Sequence, residues 1–135
     1  MKARKTLSAL TRIIAIAALV AVIGGCAAGG DSPQDLVRRF FSDVNAGNYD
    51  NITSYLDSSA QNYNQVNQTY WENALNPDYT INSLSGDGPV TAQVTEGTGT
   101  DTTFEFTFSG SEGNMFNPSD YKIKTISDGG STIFQ

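Results

Sequence analysis

The sequence contains no histidine and a single cysteine, Cys26, among its 135 residues. Histidine is the usual general base near neutral pH and the commonest metal ligand in proteins. Serine–histidine triads, cysteine–histidine dyads and zinc sites built from cysteine and histidine are therefore excluded. The sequence also lacks a phosphate-binding loop of the Walker or dinucleotide type, and no stretch carries the spaced acidic residues of a calcium loop. We therefore assign no catalytic residue, no metal and no cofactor.

Basic residues are also scarce, and half of them lie at the start of the chain. The first twelve residues carry four basic side chains and no acidic one, and an apolar run follows from Ile13 to Ile23. This order of charge and hydrophobicity is typical of a secretory signal peptide. A helix of this length rises only about 16 Å, whereas the bilayer core is about 30 Å thick, so a transmembrane helix is not expected.

The apolar run ends at the one cysteine. Ile23, Gly24, Gly25 and Cys26 together resemble the lipobox of bacterial lipoproteins. The resemblance implies cleavage before Cys26 and acylation of its thiol, which would explain why a lone cysteine sits here. The alternative is an ordinary signal peptide with a coincidental cysteine. Acylation predicts a protein held on the cell membrane or the outer membrane, outside the cytoplasm.

These features predict three segments. Residues 1–25 form a cleaved signal peptide, residues 26–32 form the lipidated cysteine and a flexible tether, and residues 33–135 form one domain. Cleavage would leave four basic residues against all 14 acidic residues, a formal net charge of −10. Such a charge argues against nucleic acid as a partner and against contact with anionic lipid.

The first part of the domain shows helical periodicity. Ser32, Pro33 and Asp35 form a helix start, and the residues after them place apolar side chains on one face until Asn45-Ala46-Gly47 ends the helix. A short second helix is predicted within residues 48–57. From about Ser59 to Asn76 we expect a third helix, in which Asn67 lies inside the apolar arc. Along the first helix, Asp35, Arg39 and Asp43 are predicted to form a solvated ion-pair ladder.

After Pro77 the apolar period changes from helical to two. Alternating segments begin near Tyr79, Val90, Phe104 and Tyr121, and residues 132–134 add a short strand. The glycine-rich stretches 86–88, 97–100 and 128–130 are expected to be hairpin turns, which indicates an antiparallel meander. Residues 109–120 form a longer loop with an apolar Met115-Phe116 pair. We favour packing of Phe116 beneath this loop over a lid or a partner-binding tip.

Helices followed by an antiparallel sheet indicate an α+β fold. The segment DLVRRFFSDVNAGNYDNITSYLD, residues 35–57, resembles the opening of nuclear-transport-factor-two-like domains, and YKIKTI, residues 121–126, resembles a late strand of that family. The resemblance implies N-terminal helices packed on a curved antiparallel sheet, in a cone-like, cystatin-like layout. The interior of such a cone can hold a small apolar ligand. Enzymes of the family use aspartate, histidine and tyrosine inside the cone, and none of those positions can be matched here.

Three functions are consistent with the sequence. The first is a membrane-anchored, non-enzymatic module that binds an apolar small molecule, a lipid, a peptide or an envelope protein. The second is an isomerase or dehydratase with a buried carboxylate, and the third is a surface module that acts through the outer face of the sheet or the 109–120 loop. For a pocket, the candidate lining residues lie on the third helix and the phenylalanine strand: Tyr63, Asn67, Tyr70, Trp71, Phe104, Phe106 and Phe108.

Overall fold

The computed structural model describes residues 30–135, which form an α+β fold of three helices and one five-stranded antiparallel sheet. The predicted signal peptide and Cys26 lie outside these residues. The helices are α1 (Pro33–Ala46), α2 (Tyr49–Ile52) and α3 (Gln68–Ala74). The strands are β1 (Thr80–Ser85), β2 (Val90–Thr95), β3 (Asp101–Ser109), β4 (Lys122–Asp128) and β5 (Ser131–Phe134). Within residues 30–135, no helix combines the length and the apolar composition needed to cross a membrane.

Helix α1 begins and ends at the predicted residues. The Ser32 hydroxyl accepts a hydrogen bond from the Asp35 backbone N–H, and the Asp35 carboxylate accepts one from the Ser32 backbone N–H. This reciprocal pair satisfies backbone donors that the first turn leaves free. At the other end Gly47 has a φ of 70°, a left-handed conformation that glycine adopts without steric cost.

The sheet is the predicted meander, with the five strands side by side in chain order. Stretches 86–88 and 97–100 lie between consecutive strands, and the third stretch contains the last residue of β4 and the Gly129-Gly130 turn before β5. On β2 the residues Val90, Ala92 and Val94 are buried and alternate with more exposed ones, and on β3 the same holds for Phe104 and Phe106. The pattern of period two in the sequence therefore identified the face of the sheet that is buried.

The predicted third helix is wrong in its extent. Residues 63–65 form a single 3₁₀ turn, and α3 begins only after Asn67, whose side-chain oxygen accepts a hydrogen bond of 2.9 Å from the Tyr70 backbone N–H. Asparagine side chains compete with the helical backbone for hydrogen bonds and favour N-cap positions. The asparagine-rich segment is therefore interrupted, and Asn67 is an exposed cap rather than a buried amide.

The core lies where α1 and α3 meet the buried face of the sheet. The ring of Phe40 contacts those of Trp71 and Phe106 edge to face at centroid distances of 5.9 and 5.4 Å. Phe41 contacts the Phe104 ring in the same manner at 5.3 Å. Edge-to-face contacts of this kind are a favoured aromatic arrangement.

The segment before α3 covers the β5 edge of the sheet. The Asn62 backbone N–H donates to the Gln135 carbonyl, and its side-chain oxygen accepts from the Gln135 N–H, both at 3.1 Å. The Asn62 amide and the Tyr70 hydroxyl both donate to the Ile133 carbonyl. These bonds satisfy backbone groups that an edge strand would otherwise expose.

Candidate functional site

Three of the predicted pocket residues belong to the core. Trp71, Phe104 and Phe106 are wholly buried and contact one another or the phenylalanines of α1. The indole N–H of Trp71 has no hydrogen-bond acceptor. These three side chains are therefore part of the hydrophobic core.

The other four predicted pocket residues lie around the margin of the core. Tyr63, Tyr70 and Phe108 are half-buried, and Asn67 is exposed. None of the seven lines the surface cavities of about 710, 530 and 210 Å³. Ligand binding by this set therefore stays a prediction of the sequence alone.

The predicted packing of Phe116 beneath its loop is wrong. Met115 and Phe116 are 86% and 88% exposed, and among residues 30–135 they are the large hydrophobic side chains that face solvent. The reason is the local backbone. Asn114 and Asn117 exchange backbone hydrogen bonds of 2.7 and 3.2 Å, and the Asn114 side-chain oxygen accepts from the N–H groups of Phe116 and Asn117. Met115 and Phe116 are therefore the two central residues of a tight turn, which has no space beneath it.

The base of the loop is closed by a second set of hydrogen bonds. The Ser111 backbone N–H donates to the Asp120 carboxylate at 2.7 Å, and the Asp120 N–H donates back to the Ser111 carbonyl at 3.3 Å. The bond from the Ser111 N–H is the main reason why the pKa of Asp120 lies below its ordinary value. Between base and tip, a Cβ atom at Gly113 would lie 2.3 Å from the Ser119 nitrogen, so only glycine fits there.

The loop lies directly against the start of the domain. The Ser119 hydroxyl donates a 3.0 Å hydrogen bond to the Asp31 carbonyl, and a Cβ atom at Gly30 would approach the Ser119 carbonyl oxygen to 2.5 Å. In the first turn of α1, the Gln34 amide donates to the Gly86 carbonyl in the β1–β2 turn at 3.0 Å. The N-terminus of α1, the β1–β2 turn and the 109–120 loop therefore share one end of the domain. We call this the proximal end.

A groove of about 710 Å³ opens at the proximal end. Its lining combines apolar side chains with carboxylates and includes Pro33, Asp87, Glu112, Met115 and Tyr121. Because Met115 lines the groove, the exposed loop tip borders it.

A carboxylate and a tyrosine meet on the flank of α1, the combination that the isomerase hypothesis requires. The Tyr55 hydroxyl donates to the Asp43 carboxylate at 2.9 Å, and the Arg39 guanidinium lies 5.0 Å from the centre of the Tyr55 ring. Burial, and then the hydrogen bond to Asp43, raise the pKa of Tyr55 far above its ordinary range. Neither Asp43 nor Tyr55 lines any of the three cavities described above.

The same contacts contradict the predicted ion-pair ladder on α1. Arg39 forms its salt bridge with Asp31, at 3.2 Å, while Asp35 caps the helix and Asp43 accepts from Tyr55. Within residues 30–135 no polar or charged residue is fully buried, and no group of acidic side chains is arranged to hold a metal ion.

Comparison of the chain with known protein families, with curated proteins and with solved structures finds no match. Function is therefore inferred from the geometry of the described residues and from the sequence pattern before them.

Sequence reasoning noted the Met115-Phe116 pair but assigned it to the wrong environment. The signal that indicates its exposure is local: asparagines at 114 and 117 bracket the pair, and Pro118 follows. Asparagine and proline at these spacings are typical of tight turns, whose central side chains face outward. No sequence pattern indicated that the 109–120 loop lies close to the start of the domain, because 88 residues separate Ser119 from Asp31.

Proposed function

We propose that the protein is a lipid-anchored, extracytoplasmic lipoprotein that acts as a surface interaction module through its proximal end. The observation that carries the proposal is the contrast between buried aromatic residues of the predicted pocket and the exposed apolar pair of the 109–120 loop. Trp71, Phe104 and Phe106 are core, whereas Met115 and Phe116 are held in solvent by a hydrogen-bonded turn. Exposed apolar side chains held in place in this way are typical of interaction sites.

The anchor in this proposal rests on the sequence. The basic start, the apolar run and the Gly24-Gly25-Cys26 ending are typical of a lipoprotein signal. The short tether after Cys26 would hold the domain close to the membrane with its proximal end inward. A module at this position is placed to act on the envelope rather than on a diffusing substrate.

The cone-like layout is also part of the proposal. Support comes from the contacts of Phe40 and Phe41 with Phe104 and Phe106, and from register shifts in the β1–β2, β3–β4 and β4–β5 pairings. Shifts of register bend strands and increase their twist. In this layout the interior of the cone is occupied by its own aromatic side chains, which is why we favour the surface over a pocket.

Membrane partitioning and the intact mass of the full chain test the lipid anchor. Expressed in a bacterial host, the wild-type protein should partition with membranes and carry the mass of acyl groups, and Cys26→Ser should lose both. A Cys26→Ser protein that still partitions with membranes, with no mass difference beyond the substitution, would contradict the anchor.

Native mass spectrometry of the lipoprotein released from detergent tests the choice of surface over pocket. We expect the acylated chain without a small-molecule companion. A non-covalent mass of a few hundred daltons that is lost on denaturation would contradict the surface proposal and favour a ligand pocket.

A further inference from the structure

We infer that Met115 and Phe116 contact the lipid bilayer to which Cys26 anchors the chain, so that the proximal end rests on the membrane. This inference rests on the anchor of the proposed function and adds a second, non-covalent attachment. The surface that the exposed loop tip contacts is then a neutral lipid bilayer.

The first step is the distance between loop and anchor. Cys26 precedes Gly30 by four residues, which span at most about 14 Å when fully extended. The loop is fastened to that same point, since Ser119 donates to the Asp31 carbonyl and lies against Gly30. An acylated Cys26 lies at the membrane surface, so the loop is never far from lipid. A short tether gives the second contact a high effective concentration.

The second step is the chemistry of the loop tip. The two central residues of the Asn114–Asn117 turn carry one aromatic and one thioether side chain, and none of the four residues of the turn is charged. The backbone N–H groups of Phe116 and Asn117 are occupied by the Asn114 side chain. The tip can therefore enter the lipid interface without leaving these two donors unsatisfied.

The third step is the size of the apolar surface. Met115 and Phe116 together offer roughly 350 Å², whereas a stable protein interface takes about 800 Å² from each partner. The apolar surface of the tip is therefore less than half of what a stable protein interface takes from one partner. It is sufficient to orient a domain that a covalent lipid already holds at the membrane.

Charge at the proximal end restricts the kind of lipid. Asp87 and Glu112 line the groove beside Met115, and carboxylates are repelled by anionic headgroups over about a Debye length. Contact should therefore be closest on neutral bilayers. Mixing in anionic lipid should weaken it at low salt, and added salt should restore it.

The test uses the full-length acylated protein in phosphatidylcholine vesicles, with a nitroxide label at Met115→Cys. Thioether formation blocks Cys26, so the new cysteine is the one thiol that reacts. We expect the label to be accessible to oxygen and several-fold less accessible to a water-soluble nickel chelate than a label at Thr98→Cys. Thr98 lies in the turn before β3, at the far end of that nine-residue strand from the loop, roughly 30 Å away.

A second variant separates lipid contact from shielding by the protein. Adding Phe116→Ser to Met115→Cys keeps the turn, because Asn114 bonds the backbone of residue 116, and it should remove the protection from nickel. Equal nickel accessibility at positions 115 and 98 in a protein of acylated mass would overturn the bilayer contact alone, leaving the loop tip for a protein partner. Two labels per Met115→Cys chain and an unmodified Cys26 would overturn the anchor and the contact together.

Discussion

Replacing Phe106 by alanine distinguishes a core aromatic from a ligand-binding one. Phe106 is wholly buried, with the Phe40 and Phe41 rings edge-on at 5.4 and 5.8 Å and the Phe104 ring stacked at 6.2 Å. Truncating a buried phenylalanine removes its burial and leaves a cavity, at a cost of about 3–5 kcal/mol. Small domains have a free energy of unfolding of about 5–15 kcal/mol, so the Phe106→Ala protein should be only marginally folded.

The assay is urea unfolding followed by circular dichroism, and the chain supplies its own control. With a denaturant slope of roughly 2 kcal/mol per molar urea, Phe106→Ala should lower the midpoint by about 2 M. Phe116→Ala removes the same side chain from an 88% exposed position, where the change should stay within about 0.5 kcal/mol. Equal midpoints for wild type and Phe106→Ala, together with the loss of a bound small molecule, would refute the assignment of Phe106 to the core.

Three further substitutions test particular contacts of the described residues. Tyr55→Phe removes the hydroxyl that donates to Asp43 at 2.9 Å. In thermal denaturation it should lower the free energy of unfolding by about 1–2 kcal/mol. An unchanged melting temperature would show that water replaces this hydrogen bond. Trp71→Phe loses buried area but also removes an indole N–H that has no acceptor. The two effects should offset, so that the free energy of unfolding changes by no more than about 1 kcal/mol. A loss of stability above about 3 kcal/mol would mean that the N–H is bonded in solution. The pKa of Asp57 is lowered by hydrogen bonds, first from the Ser109 hydroxyl, so its contribution to stability is present above the ordinary aspartate pKa and is lost as the pH falls through the lowered value. Asp57→Asn should therefore destabilise the protein at pH 7 by less than about 1 kcal/mol, because the carboxylate is screened by solvent. It should also flatten the acid limb of a plot of melting temperature against pH. An acid limb identical to that of the wild type would contradict this prediction.

Local sequence patterns determined most of the secondary structure. The Ser32 hydroxyl before α1, the proline and carboxylate in its first turn and the glycine after it defined that helix, because capping depends on residues within one turn of its ends. The alternation of Phe104 and Phe106 with polar residues identified the buried face of β3. The helix predicted from Ser59 to Asn76 is confirmed only over Gln68–Ala74. Its apolar spacing suited one long helix, but asparagine side chains compete for the backbone, and Asn67 caps a new helix.

The location proposed here rests on the sequence alone, because signal peptides and lipoboxes are linear patterns that are recognised before folding. Only the tertiary structure decided which apolar residues are core and which are surface. Trp71, Phe104 and Phe106 are buried because α1 brings Phe40 and Phe41 against them. Phe116, as apolar as they are, lies in a turn that places nothing beneath it. Ser119 meets Asp31 through a contact between residues far apart in the chain, and no local pattern encodes such a contact.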